Sequence, residues 1–281
     1  MKERFFPVIL DRRRTAGDGS VLASPLDSRE ASLMGGDTAS VCFAPVYVTG
    51  STTSTFDLAW DLARETEMPA WSGVLAASQT RGRGQLRREW VSPPGNLYVS
   101  FFLPDGFVRL DSMAPLATGY CVHAALRTLG VQTRIKWPND LLLADAGGPE
   151  GKVGGLLLEE RGSRLLAGLG LNLRNAPEED RMRGNKAVPA VALPYFNEPL
   201  CDFWRKLAAG MRDTYTRHIE RADSATLRRH IEAGLAWMGS RIFAEDLGAG
   251  GVLAGLDASG SLLLQTEDGL TAVTSGSIRP W

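Results

Sequence analysis

Hydrophobic positions change period several times along the chain, and each change predicts an element. FAPVYV (43–48) is dense in aromatic and β-branched residues and predicts a strand. TGSTTS leads from it into STFDLAWDLARET, which predicts a helix; Ser54 or Thr55 is the expected cap, and Asp57 lies in the first turn. LYVSFFL (97–103) predicts a second strong strand. DSMAPLATGYCVHAALRTLG (111–130) predicts a helix capped by Asp111 or Ser112 and ended by Gly130. TRIKW, KVGGLLLEE and RLLAGLGLNL predict strands, the last two as a hairpin about Arg161-Gly162-Ser163. Residues 199–236 are helical in pattern, with DSATLRRHIEAGLAWM opening on an Asp/Ser cap. Residues 1–40 mix charge, glycine and serine without a long periodic segment, which fits an edge strand followed by a loop, or partial disorder.

After Trp237 the period shortens. SRIFAEDL, GGVLAGLDASG, SLLLQTEDG and LTAVTSGSI predict short strands separated by glycine and acidic turns. About 45 residues of this kind predict a small β-barrel, too small to be very stable alone and therefore docked on the main domain. The expected order is an α+β body followed by an all-β tail, with no internal repeat.

Composition narrows the classes. A chain of 281 residues with 44% hydrophobic and 22% charged residues is that of a soluble globular protein, and a formal net charge of −1 implies no polyanion partner. No apolar run approaches the roughly 18 residues of a membrane helix, and the N-terminus has too short an apolar stretch for a secretory signal. Cys42, Cys121 and Cys201 are odd in number and widely spaced, so reduced thiols and a cytoplasmic location are expected. Cys121, His123, His218 and His230 share no metal-ligand or triad spacing and read as structural.

Charge type matters more than net charge. Of 31 basic residues only five are lysines, and two of these, Lys136 and Lys152, bracket one short stretch, KWPNDLLLADAGGPEGK. Lysine is a compact point charge suited to a tight anionic site, whereas arginine brings a wide planar fork. SQTRGRGQLRREW (78–90) sets Gly82 and Gly84 among Arg81, Arg83, Arg87 and Arg88, a loop able to wrap an anion with backbone N–H groups and guanidinium forks. It has neither P-loop nor dinucleotide-fold spacing, and a solvated basic turn is the plain alternative. Trp90 beside it can stack on a base, a contact worth about 1–3 kcal/mol, or belong to the core; spacing leaves both open. In IKWPND, Pro138 ends a strand and puts Asn139 and Asp140 at a turn. In GKVGGLLLEE, Gly154-Gly155 leave room against the backbone, and GLGLNL carries one polar group, Asn172, in an apolar run.

STFDLAWDLA, QTRGRGQLRREWVSPPGNLYVS, KWPND, KVGGLLLE and GLGLNL occur in the order seen in biotin protein ligases, and the tail from about 236 is similar to that family's SH3-like barrel. The resemblance spans about 44 to 278, and its specificity lies in the conjunction of motifs. It implies an α+β fold, a class II aminoacyl-tRNA synthetase/biotin ligase-like mixed β-sheet flanked by helices. The implied layout is an N-terminal extension over 1–42, a catalytic domain over 43–235 and a small C-terminal SH3-like β-barrel over 236–281. It also implies a two-step activity: biotin and ATP form biotinyl-5'-AMP with loss of pyrophosphate, and a lysine of a biotin carboxyl carrier domain then attacks the mixed anhydride. ATP and Mg2+ are implied, with no tightly bound cofactor; nucleic acid and membrane partners are not, and a homodimer is left open.

The resemblance assigns roles residue by residue. Arg83, Lys152 and Asp140 resemble the catalytic set, Lys152 contacting the biotin carboxylate and the phosphate, Asp140 lying near the incoming lysine, where it can orient the amine or accept its proton. Ser54, Thr55 and Gln79 resemble the groups that meet the biotin ureido ring; Gly82, Arg83 and Gly84 resemble the loop that folds over biotin and the acyl phosphate, and Gly155 the glycine beside biotin. Arg83, Arg88, Trp90, Lys136, Asn139 and Asn172 fall on the ATP side, Trp90 as the adenine stack and Lys136 as a supporting charge. The chain departs from the pattern at Phe56, where Ser-Thr-Asn is usual, with Ser51-Thr52-Thr53 as a competing alignment. It departs again at Gln85 and Arg87, where many members have arginine and glycine; in many members that arginine helps retain the adenylate, so here either Arg87 or Arg88 supplies the missing charge or the intermediate escapes more readily. Residues 1–40 show no two-helix DNA-binding pattern, which predicts a non-regulatory form. Two rivals follow: a lipoate or octanoate ligase of the same fold, and a binding protein with a degenerate site.

Overall fold

The computed structural model describes residues 7–10, 13–15, 21–24, 27–35, 43–144, 150–177 and 188–281. Cys42 lies outside them, as does half of the segment 1–40; the described half corrects the expectation of an edge strand and loop, since it holds three short strands and a helix opened by the Asp27/Glu30 capping box. In chain order the elements are β1 (Pro7–Ile9), β2 (Arg14–Thr15), β3 (Val21–Ala23), α1 (Ser28–Met34), β4 (Val46–Thr52), α2 (Thr55–Glu65), β5 (Gly73–Gln79), β6 (Leu97–Phe102) and α3 (Asp105–Val108). There follow α4 (Ala114–Thr128), β7 (Thr133–Lys136), β8 (Asp140–Leu143), β9 (Gly151–Arg161), β10 (Arg164–Leu171), α5 (Leu200–His218) and α6 (Ser224–Gly234). The tail holds β11 (Arg241–Ala244), β12 (Ala249–Leu256), β13 (Leu262–Thr266), β14 (Gly269–Val273) and β15 (Ile278–Pro280).

Two compact units share the chain. Met1–Val108, Gly154–Ala176 and Ala192–Ala209 form one; Arg109–Val153, Pro177–Val191 and Gly210–Trp281 form the other. In the first, a mixed sheet runs β2-β3-β4-β5-β6-β10-β9, with β1 also on β4. β4 is parallel to β1 and β5, while β6, β10 and β9 alternate antiparallel. Every residue of β6 is buried, as expected of a continuous apolar run covered on both faces. Phe102 meets Trp60 of α2 edge-on at 5.2 Å, and Phe101 on the opposite face packs 5.2 Å from Trp204 of α5. Burying one such ring stabilises the fold by about 1.5–3 kcal/mol. The α2 face of the core adds Phe56, Leu58, Leu62, Met68, Val74 and Leu166.

The second unit combines α4, the β7–β8 hairpin and α6 with a five-stranded antiparallel sheet, order β14-β13-β12-β11-β15. α4 corrects one expectation. Neither Asp111 nor Ser112 caps it: a 3-10 turn, Asp111–Met113, feeds a helix with proline in its first turn, and the Ser112 hydroxyl donates instead to Ser259 O at 2.7 Å. The other caps hold, with Ser54 accepting from Phe56 N and Asp223 from Thr226 N. Gly162, at φ 61°, turns the β9–β10 hairpin where the glycine was expected to. Asp140 opens β8 rather than sitting within a turn.

Candidate active site

In the first unit, β4 ends at Thr52 and α2 begins at Thr55, so Ser54-Thr55, not Ser51-Thr52-Thr53, stand at the helix N-terminus. Thr55 N donates to Gln79 Oε1 at 2.9 Å, and its hydroxyl lies 2.7 Å from Ser100 Oγ. Gln79 Nε2 in turn donates to Ser92 Oγ (2.9 Å), whose hydroxyl donates to Trp90 O (2.8 Å). A buried polar chain of this kind, with each member paired, fixes side-chain orientation. It joins the start of α2, the end of β5 and the outgoing limb of the Arg/Gly loop.

That loop is itself a hairpin. Trp90 N donates to Gly82 O, Gly84 N donates to Arg88 O, and a 3-10 turn over Gln85–Arg87 forms the tip. Gly82 is obligatory, because a Cβ there would lie 2.3 Å from Trp90 O and 2.6 Å from Ser92 Oγ. Two further glycines make room for aromatic rings: a Cβ on Gly170 would strike the Trp90 indole at 2.5 Å, and one on Gly168 the Phe56 ring at 2.2 Å. Gly155 is the register partner of Gly170, so one stretch of β9 and β10 lacks side chains on both strands where the indole lies. Arg83 spans outward. Its guanidinium pairs with Asp57 at 2.7 Å and Glu159 at 3.6 Å, 5.3 Å from the centre of the Phe56 ring. Arg88 is exposed, and Asn172 follows β10, buried, with its carbonyl accepting from Leu193 N.

The second unit holds the two lysines. Lys136 and Asp140 are cross-strand partners at the closed end of the β7–β8 hairpin, joined at 3.0 Å through Asp140 Oδ2. The other carboxylate oxygen, Oδ1, takes Lys152 Nζ at 2.6 Å. Burial alone would raise the Asp140 pKa, but Lys152 and then Lys136 hold it below the usual carboxylate range. The Lys136 side chain is 7% exposed, that of Lys152 29%. Lys152 is anchored through its backbone, donating to Pro189 O and accepting from Val191 N. Asn139 is half-buried at the hairpin turn, and the indole of buried Trp137 donates to Gly260 O at 3.0 Å. A single carboxylate shared by two ammonium groups suits orientation of cations better than acceptance of a proton, since its conjugate acid is made stronger.

Of the residues picked out by sequence, Ser54, Thr55, Gln79, Gly82, Arg83, Trp90 and Gly155 thus gather on adjoining elements of one unit, and Lys136, Asp140 and Lys152 touch in the other. Asp57, Glu159, Ser92 and Ser100 were not foreseen. Asp57 was read only as a first-turn charge, and the other three lie within QTRGRGQLRREWVSPPGNLYVS and KVGGLLLE without having been singled out. Cys121 is fully buried with its thiol pKa pushed up by burial, and His123 is buried on α4, both as structural residues should be.

Comparison with known proteins agrees on one family. A family model described as the biotin/lipoate A/B protein ligase family matches residues 46–174. A biotin--[acetyl-CoA-carboxylase] ligase of Paracoccus denitrificans is 30% identical over 229 residues, 74% of this chain and 89% of that protein. The enzyme of the same name from Mycobacterium tuberculosis is 29% identical over 286 residues, covering 93% and 98%. Among solved structures, the biotin protein ligase of Aquifex aeolicus in complex with biotin and ATP superposes with a TM-score of 0.65 at 27% identity, covering 84% of this chain and 99% of that one.

Proposed function

The chain belongs to the biotin protein ligase family, and from that premise we infer how its residues divide the work. It is an ATP-dependent ligase that forms biotinyl-5'-AMP and passes the biotin to protein. In the first step a biotin carboxylate oxygen attacks the α-phosphorus of ATP and pyrophosphate leaves. Two anions must approach one another, so the barrier falls where fixed cations await them. In the second step an amine attacks the acyl carbon and AMP departs.

Lys152 is the cation assigned to the carboxylate and α-phosphate, and the observation that carries this is its 2.6 Å bond to Asp140. Asp140 holds the ammonium in place before substrate arrives, so little reorganisation remains at the moment of reaction. Lys136, on the opposite oxygen, keeps Asp140 ionised and immobile. Ser54, Thr55 and Gln79 are assigned to the ureido ring, with Gly82 and Gly155 beside it. Trp90, seated on Gly170, is assigned to the adenine, with Arg88, Asn139 and Asn172 on the nucleotide side. Arg83 is assigned to the acyl phosphate and must exchange Asp57 and Glu159 for it.

Mg2+ enters as part of the MgATP substrate, where it neutralises the triphosphate. The acceptor is a lysine on the carrier domain of a biotin-dependent carboxylase, and the compartment is the cytoplasm. Along the chain the catalytic and C-terminal domains are assigned to 43–235 and 236–281, a division by sequence that differs from the two compact units, the second of which gathers Arg109–Val153 with Gly210–Trp281. Biotin-dependent exchange of pyrophosphate into ATP tests the reading. Wild-type protein should catalyse it with biotin and not with lipoate, and Lys152→Ala should lose it while keeping its fold. Lipoate-dependent exchange, or full activity in Lys152→Ala, would overturn the assignment.

A further inference from the structure

The Lys136–Asp140–Lys152 array does not end at Lys136. Its Nζ also donates to Ser277 Oγ, at 3.4 Å, from the segment that joins β14 to β15. Lys136 is 6% exposed, so each ammonium proton needs a partner within the protein or a ligand.

Local structure pins that serine. Gly276 adopts φ +98°, and a Cβ there would lie 2.4 Å from the Asp246 carboxyl carbon, so only glycine lets the segment lie against Asp246. Ser275 Oγ donates to Asp246 Oδ2 at 3.3 Å, and the Ser277 carbonyl accepts from Glu245 N at 2.9 Å. The neighbouring residue of the hairpin, Trp137, donates to Gly260 O, at the turn between β12 and β13. Two consecutive hairpin residues are thus gripped by two separate turns of the C-terminal sheet.

We propose that Ser277 is a positioning residue for adenylate formation: its hydroxyl orients the Lys136 ammonium, which through Asp140 aims Lys152. The inference rests on the role assigned to Lys152 above. Without the hydroxyl, Lys136 is freer to turn toward other acceptors, and the share of Asp140 available to Lys152 shifts. A 3.4 Å contact is long, so the effect is modest.

Ser277→Val and Ser277→Thr, matched in shape and differing in the hydroxyl, test it in the full chain, with Ser275→Ala as a neighbour that does not touch Lys136. Biotin-dependent pyrophosphate exchange is measured as kcat and KM, beside urea midpoints. Expected is about a tenfold lower kcat in Ser277→Val with KM for biotin within about twofold, and near wild-type values in Ser277→Thr and Ser275→Ala. Equal rates for the Val and Thr variants, both unaltered or both impaired, overturn the proposal. If Ser277→Val does not fold, Ser277→Ala takes its place under the same criteria. Failure here is distinguishable from failure of the site assignment. An active wild type with a dead Lys152→Ala and an unaltered Ser277→Val sinks only the serine; an active Lys152→Ala sinks the site.

Discussion

The molecule presents two kinds of positive charge. Arg83 lies on a loop hairpin whose tip residue, Leu86, is 78% exposed, and its side chain, 38% exposed, pairs with two acids that are themselves partly exposed. Lys136 and Lys152 instead share one carboxylate at the closed end of a hairpin, with Lys136 and Asp140 nearly out of reach of solvent. The arginine pairs are screened and exchangeable, each worth at most about 1 kcal/mol. The lysine array is held by interactions that cannot be broken one at a time without exposing a buried charge. One region can exchange its partners; the other is fixed in place.

The largest expected effect comes from neutralising each region's acid. Asp140→Asn leaves two ammonium groups facing an amide, and about 3–5 kcal/mol of stability should be lost in urea unfolding. Asp57→Asn should change stability by less than about 1 kcal/mol. Similar losses in both would erase the distinction between the regions. Next in size, Lys152→Ala should lower the pyrophosphate exchange rate by about 10²–10³-fold with the fold retained, the scale of losing one preorganised stabilising donor.

A smaller effect is read through pH, in the core of the unit that holds the lysine array. His123, on α4, lies 3.0 Å from Thr133 Oγ1 at the start of β7, and burial, with Arg127 and Arg134 nearby, lowers its pKa from 6.5 to about 4. The folded state therefore binds fewer protons than the unfolded one between those values, and stability falls as pH drops through that window. From pH 7 to pH 5 this removes about 2 kcal/mol. Asp140, with its pKa held low, contributes stability that persists above the unfolded carboxylate value of 3.8 and is lost only as pH falls toward its lower folded value. His123→Gln should flatten the pH 5–7 slope measured by urea midpoints; an unchanged slope would place the titration elsewhere.

These contrasts were unevenly legible in the sequence. Strands with aromatic or branched runs, such as β6, and helices with polar caps, such as α2, announce themselves through side-chain pattern. GVLAASQ (β5) does not: small residues buried on both sides between β4 and β6 leave neither alternation nor bulk to read. DLLL (β8) is too short after Pro138-Asn139 to separate from the turn. The motif residues were readable as a conjunction, but their partners were not. Asp57 is one of several charges on α2 until the loop folds back to it, and Ser277 sits 141 residues from Lys136. Gly168 and Gly170 were visible as small residues, and what fills the space they leave, Phe56 and Trp90, is a tertiary fact.

The smallest effect is the one that sharpens the comparison most. Gln85 opens the loop-tip turn, half-buried, at the position where the motif resemblance leads one to expect an arginine. Gln85→Arg adds one charge on the exchangeable side and should slow release of biotinyl-AMP by about two- to fivefold, as expected of a partly exposed charge. Rapid filtration of enzyme loaded with the adenylate measures it, and an unaltered release rate would refute it. Salt then tells the regions apart. The gain from a solvent-facing arginine should fade as the screening length shrinks from about 10 Å at 0.1 M to about 3 Å at 1 M. The penalty of Lys152→Ala should hold over the same range, because its array lies largely beneath the surface. If both effects fade together, the lysine array is as open to solvent as the loop, and the division of labour between a fixed and a movable cation is wrong.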